Sequence, residues 1–134
     1  MKAAVLIPVY NASTFLREAV DSILPQTYND FRAILVNDCS TDNSKEILER
    51  YNDPRIVLIH KEQNGGIVTA LNKGIEALDD EEYIVRMDAD DIATPDRLEK
   101  QIAYMDAHPN IGVAGAWYQY CGIKTDEVKL VANS

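Results

Sequence analysis

Short apolar runs alternate with longer amphipathic stretches along most of the chain. The runs are rich in branched residues and too short for ordinary helices, so we interpret them as buried strands. The predicted strands are Ala3–Pro8, Phe31–Val36, Ile56–His60, Tyr83–Met87 and Ile111–Trp117. Alternation of strands with helices predicts an α/β fold, in which a mostly parallel, doubly wound sheet carries helices on both faces.

Four helices are predicted between these strands because apolar residues recur there at helical spacing. Their expected positions are Asn11 or Ser13 to about Leu24, Asp42 or Asn43 to about Tyr51, a helix after the turn Asn64-Gly65-Gly66, and a helix with Pro95 in its first position. The inward stripe of the first helix includes Phe15, and that of the third includes Ile67, Ile75 and Leu78. After Tyr120 the pattern weakens, and the final stretch predicts no element.

The composition is that of a single acidic domain. The 134 residues fit one compact core, so residues 1–134 are treated as one domain. A formal net charge of −9 argues against nucleic acid or anionic lipid as a primary partner. No apolar run approaches the roughly 20 residues of a membrane-spanning helix, and we expect a cytoplasmic protein. Cys39 and Cys121 have no CxxC spacing, which favours reduced, structural cysteines over a disulfide.

Three carboxylates follow the fourth predicted strand, at Asp88, Asp90 and Asp91. In extended backbone Asp88 and Asp90 point to the same side, roughly 6–7 Å apart. Like charges this close repel, and Mg²⁺ or Mn²⁺ removes the conflict because these cations prefer oxygen ligands. The alternative is that the acids are solvated and cap the next helix, a role we consider for Asp91 and Asp96.

Three more loops are predicted at the same edge of the sheet, where parallel sheets bind ligands. In Asn37–Asp42, Asp38 can accept hydrogen bonds from a base or ribose, unless the loop only caps the next helix. In Pro8–Asn11, Tyr10 offers a face to a base or is a packed turn residue. The turn at Asn64–Gly66 opens a helix whose free N–H groups can meet an anion. The chain has no GxGxxG and no Walker lysine, which argues against a dinucleotide dehydrogenase or a P-loop enzyme.

With these motifs in this order, the chain resembles glycosyltransferase family 2, enzymes of the GT-A fold that use nucleotide-diphospho-sugars. The most specific part is the run Arg86–Asp91 followed by Pro95–Leu98. The other matching stretches are Val5–Asn11, Asp21–Leu24 with Gln26–Tyr28, Val36–Asp42, Asn64–Gly66 with Ala70–Gly74, and Ile111–Val113. The resemblance therefore covers nearly the whole chain.

The resemblance implies a role for each matching position. The residues implied in nucleotide binding are Pro8, Val9, Tyr10, Asp38, Gly66, Asn72, Asp88 and Ala89, and those implied in metal binding are Asp88 and Asp90. Among them, Asp38 would hydrogen-bond the edge of the base. Asp90 would bind the Mn²⁺ or Mg²⁺ that bridges the diphosphate.

The sequence departs from the family pattern at two points. Where the family often has a glycine, this chain has Cys39, so the backbone of that loop is in question. Family members also carry a general-base carboxylate in an acceptor-binding segment C-terminal to the matched region. Nothing in Cys121–Ser134 resembles that segment. We therefore expect an N-terminal, donor-binding portion of the enzyme that is inactive by itself.

The expected function is transfer of a sugar, with inversion, from a nucleotide-diphospho-sugar to an acceptor hydroxyl in polysaccharide or glycoconjugate synthesis. A UDP-sugar is the favoured donor, and the acceptor would be a glycan or glycolipid. Peripheral association with the inner face of the membrane would require segments outside this chain. The alternatives are a non-catalytic nucleotide-binding module and a sugar nucleotidyltransferase. The latter would carry a Gly-rich, basic loop after the first strand, and Pro8–Asn11 is neither.

Overall fold

The computed structural model describes residues 2–108 with their side chains, and residues 113–120 and 123–132 as backbone. Helices and strands alternate through most of the chain, and two strands follow the last helix. The elements are β1 (Ala3–Val9), α1 (Leu16–Ile23), β2 (Phe31–Asn37), α2 (Ser44–Glu49), β3 (Ile56–His60), α3 (Ile67–Glu76), β4 (Tyr83–Arg86), α4 (Arg97–Ala107), β5 (Val113–Tyr120) and β6 (Ile123–Ala132). None of the helices among these residues is long and apolar enough to cross a membrane.

The strands form one mixed sheet in the order β3-β2-β1-β4-β6-β5. The first four strands in that order are parallel, and β6 is antiparallel to both of its neighbours. The chain winds outward from β1 to β3 and then returns to place β4 on the other side of β1. The reversal leaves a crevice at the carboxyl ends of β1 and β4, which is where sheets of this kind bind ligands.

Both faces of β1 are buried, as its continuous apolar run predicts. Val5 and Ile7 face the larger core, which also contains residues of α1, α2 and α4. Ala4 and Leu6 face the smaller core, where Ala70 of α3 covers the sheet. The predicted doubly wound architecture is therefore confirmed, with α3 alone on one face among the described helices.

The first helix starts later than either predicted cap. Phe15 is the N-cap residue of α1 and makes no side-chain capping hydrogen bond. Asn11 lies outside the helix with φ +49°, and its amide oxygen accepts a hydrogen bond from the Thr41 backbone N–H instead. Because Phe15 precedes the helix, its ring does not join the apolar stripe. The prediction that it faces the core was wrong, since the side chain is about half exposed.

Two further sequence predictions need correction. The stripe assigned to α3 is only partly buried: Ile67 and Ile75 are about half exposed, and Leu78 follows the end of the helix. Pro95 precedes the N-cap of α4 and is not its first residue. These differences arise because helical periodicity indicates a face but not how much of that face the sheet covers.

The final stretch, for which no element was predicted, forms β6. Leu130 pairs with Val85 of β4 and with Ala114 of β5, so this strand is an interior member of the sheet. Its pairing with β5 is local in sequence, whereas its pairing with β4 is distant, so the local pattern does not indicate its interior position in the sheet. The predicted start of the fifth strand at Ile111 and the residue Cys121 lie outside the described residues.

Candidate functional site

A cleft of about 460 Å³ opens at the carboxyl ends of β1, β2 and β4, beside the N-terminus of α3. Eight of the nine predicted site residues line it: Pro8, Val9, Tyr10, Asp38, Gly66, Asp88, Ala89 and Asp90. The exception is Asn72, which is exposed on α3 and does not line the cleft. From that helix the cleft is lined by Ile67 and Ala70. The fold thus brings together residues from four separate segments of the chain.

One wall of the cleft is acidic. One carboxylate oxygen each from Asp88, Asp90 and Asp91 lies within 4.8 Å of the others. Asp91 Oδ2 accepts a hydrogen bond from the Asp88 backbone N–H, 3.1 Å away, and so closes a tight turn between them. Burial, together with the charges of Asp88 and Asp90, raises the pKa of Asp91. The site thus has three carboxylate oxygens close together, and the ionised form of one of them is destabilised. Such a set of hard oxygen donors suits a divalent cation.

The acidic loop is anchored to α1 and to the turn after it, and not to the sheet alone. Gln26 donates from Nε2 to the Thr94 carbonyl at 2.6 Å and accepts from the Leu98 N–H at 3.0 Å. The Ser22 hydroxyl accepts from the Ala93 N–H at 2.9 Å. Gln26 is 5% exposed, so these bonds are shielded from water and hold the loop after β4 in place.

Asp38 lies on the opposite wall, at the end of β2, and is 4% exposed. Its Oδ1 accepts from Lys61 Nζ at 2.6 Å and from the Gly65 N–H at 3.1 Å. Its Oδ2 accepts from the Gly66 N–H at 3.0 Å. Burial raises the pKa of Asp38, but these donors outweigh that effect and the pKa lies below its usual value. Asp38, which lines the cleft, is therefore a carboxylate with acceptor capacity left on Oδ2.

The loops after β1 and β2 are tied together by side-chain hydrogen bonds. The Asn11 N–H donates to the Ser40 hydroxyl at 3.0 Å, and the Ser13 N–H donates to Asp42 Oδ2 at 3.0 Å. Asp42 also accepts from the Ser44 N–H at 2.9 Å. The predicted capping role of this loop is thus only part of its function. Its side chains also fix the position of the neighbouring loop that carries Tyr10.

The backbone at Cys39 adopts φ +57°, the left-handed conformation that glycine favours. The family's frequent glycine at this position therefore has a physical reason, and the present chain reaches the same conformation with a cysteine. Its thiol lies 3.5 Å from the Glu62 carbonyl and forms no disulfide. The reduced state expected of both cysteines stays a prediction, because Cys121 lies outside the described residues.

The outer part of the cleft is apolar and exposed. Tyr10, Phe15 and Ile67 all line it, and each is about half exposed. Large apolar side chains grouped at the mouth of a cleft often mark a surface that a ligand or partner covers. Together with the acidic wall and Asp38, they give a site that can receive a flat ring, an N–H donor and a cation-bound anion.

Sequence reasoning missed several residues that shape this site. Lys61 and Gln26 act through hydrogen bonds to residues 23 or more positions away. Asp91, for which we considered only a capping role, is part of the acidic cluster. For Gln26 a signal did exist, because it belongs to one of the stretches that carry the family resemblance. For Lys61 the sequence offers no signal beyond a lysine at the end of a strand.

The chain matches known glycosyltransferases over most of its length. Residues 4–131 match the family described as glycosyl transferase family 2. An uncharacterized glycosyltransferase of Haemophilus influenzae is 35% identical over 133 residues, which cover 94% of this chain and 41% of the relative. The glycosyltransferase GlyG of Streptococcus pneumoniae is 39% identical over 122 residues, which cover 87% of this chain and 39% of the relative. The chain thus spans about two fifths of the length of these relatives.

Solved structures share the fold of this chain. S. aureus TarS 1-349 in complex with UDP has a TM-score of 0.76 at 28% identity, covering 84% of this chain and 34% of TarS 1-349. The Pyrobaculum calidifontis mannosyltransferase PcManGT, in complex with GDP-Man and Mn²⁺, has a TM-score of 0.79 at 24% identity, covering 89% of this chain and 36% of PcManGT. The second likeness supports the shared fold alone. Since the family match covers nearly the whole chain and the curated relatives agree with it, the chain belongs to glycosyl transferase family 2.

Proposed function

We propose that this chain is the donor-binding portion of an inverting glycosyltransferase that uses a UDP-sugar. The observation that carries the proposal is the cleft itself, which combines an ionised Asp38 on one wall with the carboxylates of Asp88 and Asp90 on the other. A nucleotide-diphospho-sugar needs both features, because its base has hydrogen-bonding edges and its diphosphate is anionic. S. aureus TarS 1-349, solved with UDP and with UDP-GlcNAc, supports a uridine donor.

The chemistry of Asp38 favours a base that donates a hydrogen bond. A carboxylate is only an acceptor, so its free lone pairs on Oδ2 suit an N–H group on the edge of the base. Uracil presents such a group at N3, whereas cytosine presents an acceptor at the same position. Tyr10, half exposed at the mouth of the cleft, offers an aromatic face against which the base or ribose can lie. UDP is therefore expected to bind better than CDP.

Asp88 and Asp90 would hold the divalent cation, Mn²⁺ or Mg²⁺, and the nearby carboxylate of Asp91 completes the acidic cluster. The donor set fits such a cation because it consists of carboxylate oxygens, two of them exposed to solvent. A cation bound there supplies Lewis-acid stabilisation of the departing diphosphate. It also reconciles a chain of net charge −9 with an anionic ligand.

In the proposed reaction an acceptor hydroxyl attacks the anomeric carbon from the face opposite the diphosphate. The bond between that carbon and the diphosphate oxygen breaks, and its electron pair leaves with the nucleoside diphosphate. The hydroxyl proton passes to a carboxylate base, which we expect outside the region matched here. We therefore expect these 134 residues to bind the donor without turning it over. Transfer or hydrolysis of a UDP-sugar by this chain alone would show that the base lies within it.

The metal assignment is tested with Asp90→Ala. We expect Mn²⁺-dependent UDP binding to weaken by at least about 2 kcal/mol, roughly 30-fold, because a carboxylate ligand of the cation is lost. Isothermal titration of UDP with and without Mn²⁺ gives the measurement. The matched control is Asp30→Ala, an exposed acid just before β2, at the end of that strand opposite Asp38. If Asp90→Ala binds UDP as the unmodified chain does in both conditions, the assignment fails.

A further inference from the structure

The side chain of Lys61 is mostly buried beside Asp38. Its ammonium donates to Asp38 Oδ1 at 2.6 Å and to the Thr69 hydroxyl at 2.7 Å, and its side chain is 10% exposed. Lysine is rarely buried to this extent unless it is paired. Lys61 is not among the residues that line the cleft. Its contact with the site runs through Asp38.

Lys61, Asp38 and the turn before α3 form one closed unit. The Gly65 and Gly66 N–H groups donate to Asp38, while the backbone N–H of Lys61 donates to the Asn37 carbonyl at 2.9 Å. The ammonium packs so closely on the turn that a Cβ added to Gly65 would lie 2.8 Å from it. A charged side chain thus connects the end of β3, the end of β2 and the start of α3.

We propose that Lys61 is a positioning residue for nucleotide binding, which keeps the Asp38 carboxylate ionised and oriented so that it can accept a hydrogen bond from the base. The inference rests on the proposed function and deepens it, because it names the residue on which base recognition depends. A lysine that only stabilised the fold would leave the ligand affinity of a folded variant unchanged. If the lysine acts through Asp38 instead, the affinity depends on pH once the lysine is removed.

The reason lies in the surroundings of Asp38. With Lys61 in place, the pKa of the carboxyl is below its usual value, although burial raises it. Without the ammonium, the amides of Gly65 and Gly66 remain, but burial favours the neutral form. Other titratable groups border the same loop and cleft: Tyr10, Cys39, His60, Glu62, Asp88 and Asp90. They are common to all the variants compared, so their titration cancels in a difference between variants.

The test is Lys61→Met, which keeps the length of the side chain and removes its charge. We expect its affinity for UDP in the presence of Mn²⁺ to fall by about tenfold more between pH 8 and pH 5.5 than that of the unmodified chain. Titration calorimetry across this range gives the measurement. The matched control is Lys73→Met, an exposed lysine of α3 that is remote from Asp38 in the hydrogen-bonding network and is expected to follow the unmodified chain.

Loss of one partner from a buried ion pair can also unfold a protein, so a second comparison is needed. Asp38→Asn leaves one charge in the pair, and the double variant Asp38→Asn/Lys61→Met leaves none. If Lys61 acts through Asp38, its removal in the Asp38→Asn background changes UDP affinity by less than about twofold and adds no pH dependence. This comparison holds even where Lys61→Met alone does not fold.

Each result decides between distinct conclusions. The inference is overturned if a folded Lys61→Met variant has the pH profile of the unmodified chain. It is also overturned if Lys61→Met lowers UDP affinity equally with Asp38 present and in the Asp38→Asn background. In both cases, UDP binding by the unmodified chain upholds the proposed function. If titration of the unmodified chain with UDP, GDP, CDP or ADP gives no more signal than titration with buffer, the proposed function is overturned. The inference is then overturned with it.

Discussion

Asp38 and Asp42 both follow β2, yet different donors hold each of them as a carboxylate. Asp38 depends on a lysine and two glycine amides from the segment between β3 and α3, whereas Asp42 depends on Ser44 and Ser13. The first arrangement faces the candidate site and the second one ties two loops together. At the scale of single residues, the same type of side chain thus lines the candidate site in one place and ties two loops together in the other.

Asp42 gives a prediction for stability against pH. Burial raises its pKa, but hydrogen bonds from Ser44 and Ser13 outweigh this and lower the pKa to about 2, from an ordinary value of 3.8. Because the folded-state pKa is the lower one, the carboxylate stabilises the fold above about pH 4, and this contribution is lost as the pH falls through about 2. We expect Asp42→Asn to lower the free energy of unfolding by about 1–2 kcal/mol at pH 7 and by much less near pH 2.

Urea denaturation of Asp42→Asn and of the unmodified chain, at pH 7 and at the lowest pH where both fold, checks this expectation. Asp30→Asn serves as the control, because Asp30 is exposed and its carboxylate accepts no hydrogen bond among those described for residues 2–108. A difference between Asp42→Asn and the unmodified chain that stays constant with pH would show that the charge of Asp42 is not what stabilises the fold.

At the scale of elements, α3 packs closely on β1. Gly74 faces Leu6, and a Cβ added to Gly74 would lie 2.1 Å from Leu6 Cδ1. Leu6 is 2% exposed, so its side chain has little room to move aside. The absence of a side chain at Gly74 thus lets α3 approach the sheet, and it sets the position of the helix whose N-terminus borders the cleft.

Gly74→Ala tests this packing. In an exposed helix the change would stabilise by about 1 kcal/mol, whereas overpacking a filled core costs about 1–3 kcal/mol. We expect a net loss of up to about 2 kcal/mol in the free energy of unfolding, measured by chemical denaturation. Lys73→Ala, on the exposed face of the same helix, is expected to change stability by less than about 0.5 kcal/mol. Stabilisation by Gly74→Ala would mean that α3 packs more loosely than the contact indicates.

At the scale of the whole molecule, the sheet is completed by chain segments that are far apart in sequence. The four parallel strands come from residues 3–86, but the far side of β4 is covered by β6, near the end of the chain. Without β6, the backbone of Val85 would lose its partner residue in the neighbouring strand, Leu130. The loop after β4 carries the acidic wall of the cleft, so support for β4 is also support for the candidate site.

Leu130→Pro tests the contribution of β6. Proline has no N–H to donate, and Leu130 has a partner strand on each side. We expect the free energy of unfolding to fall by about 3 kcal/mol or more, measured by guanidinium denaturation followed by circular dichroism. The control is Leu130→Val, which keeps the backbone donor and a strand-forming side chain. Equal stability of the two variants would show that β6 does not depend on its ladder hydrogen bonds.

The local pattern of the sequence determined the four parallel strands, the helices between them and the edge of the sheet where ligand-binding loops meet. These features follow from a period of two or 3.6 residues and from short motifs, both of which lie within a few neighbouring residues. Eight of the nine predicted site residues line the cleft, because each of them lies at or soon after the end of a strand, or at the start of a helix. Their roles in binding a nucleotide and a metal stay predictions.

Only the tertiary structure decided how distant segments meet. It paired Lys61 with Asp38, placed Asn72 outside the cleft, left Phe15 exposed at its mouth and inserted β6 between β4 and β5. None of these facts has a local signal, because each depends on where the sheet brings a second segment of the chain. A sequence pattern reports the preference of a residue for burial or for a turn. The partner that satisfies that preference is chosen by the packed fold.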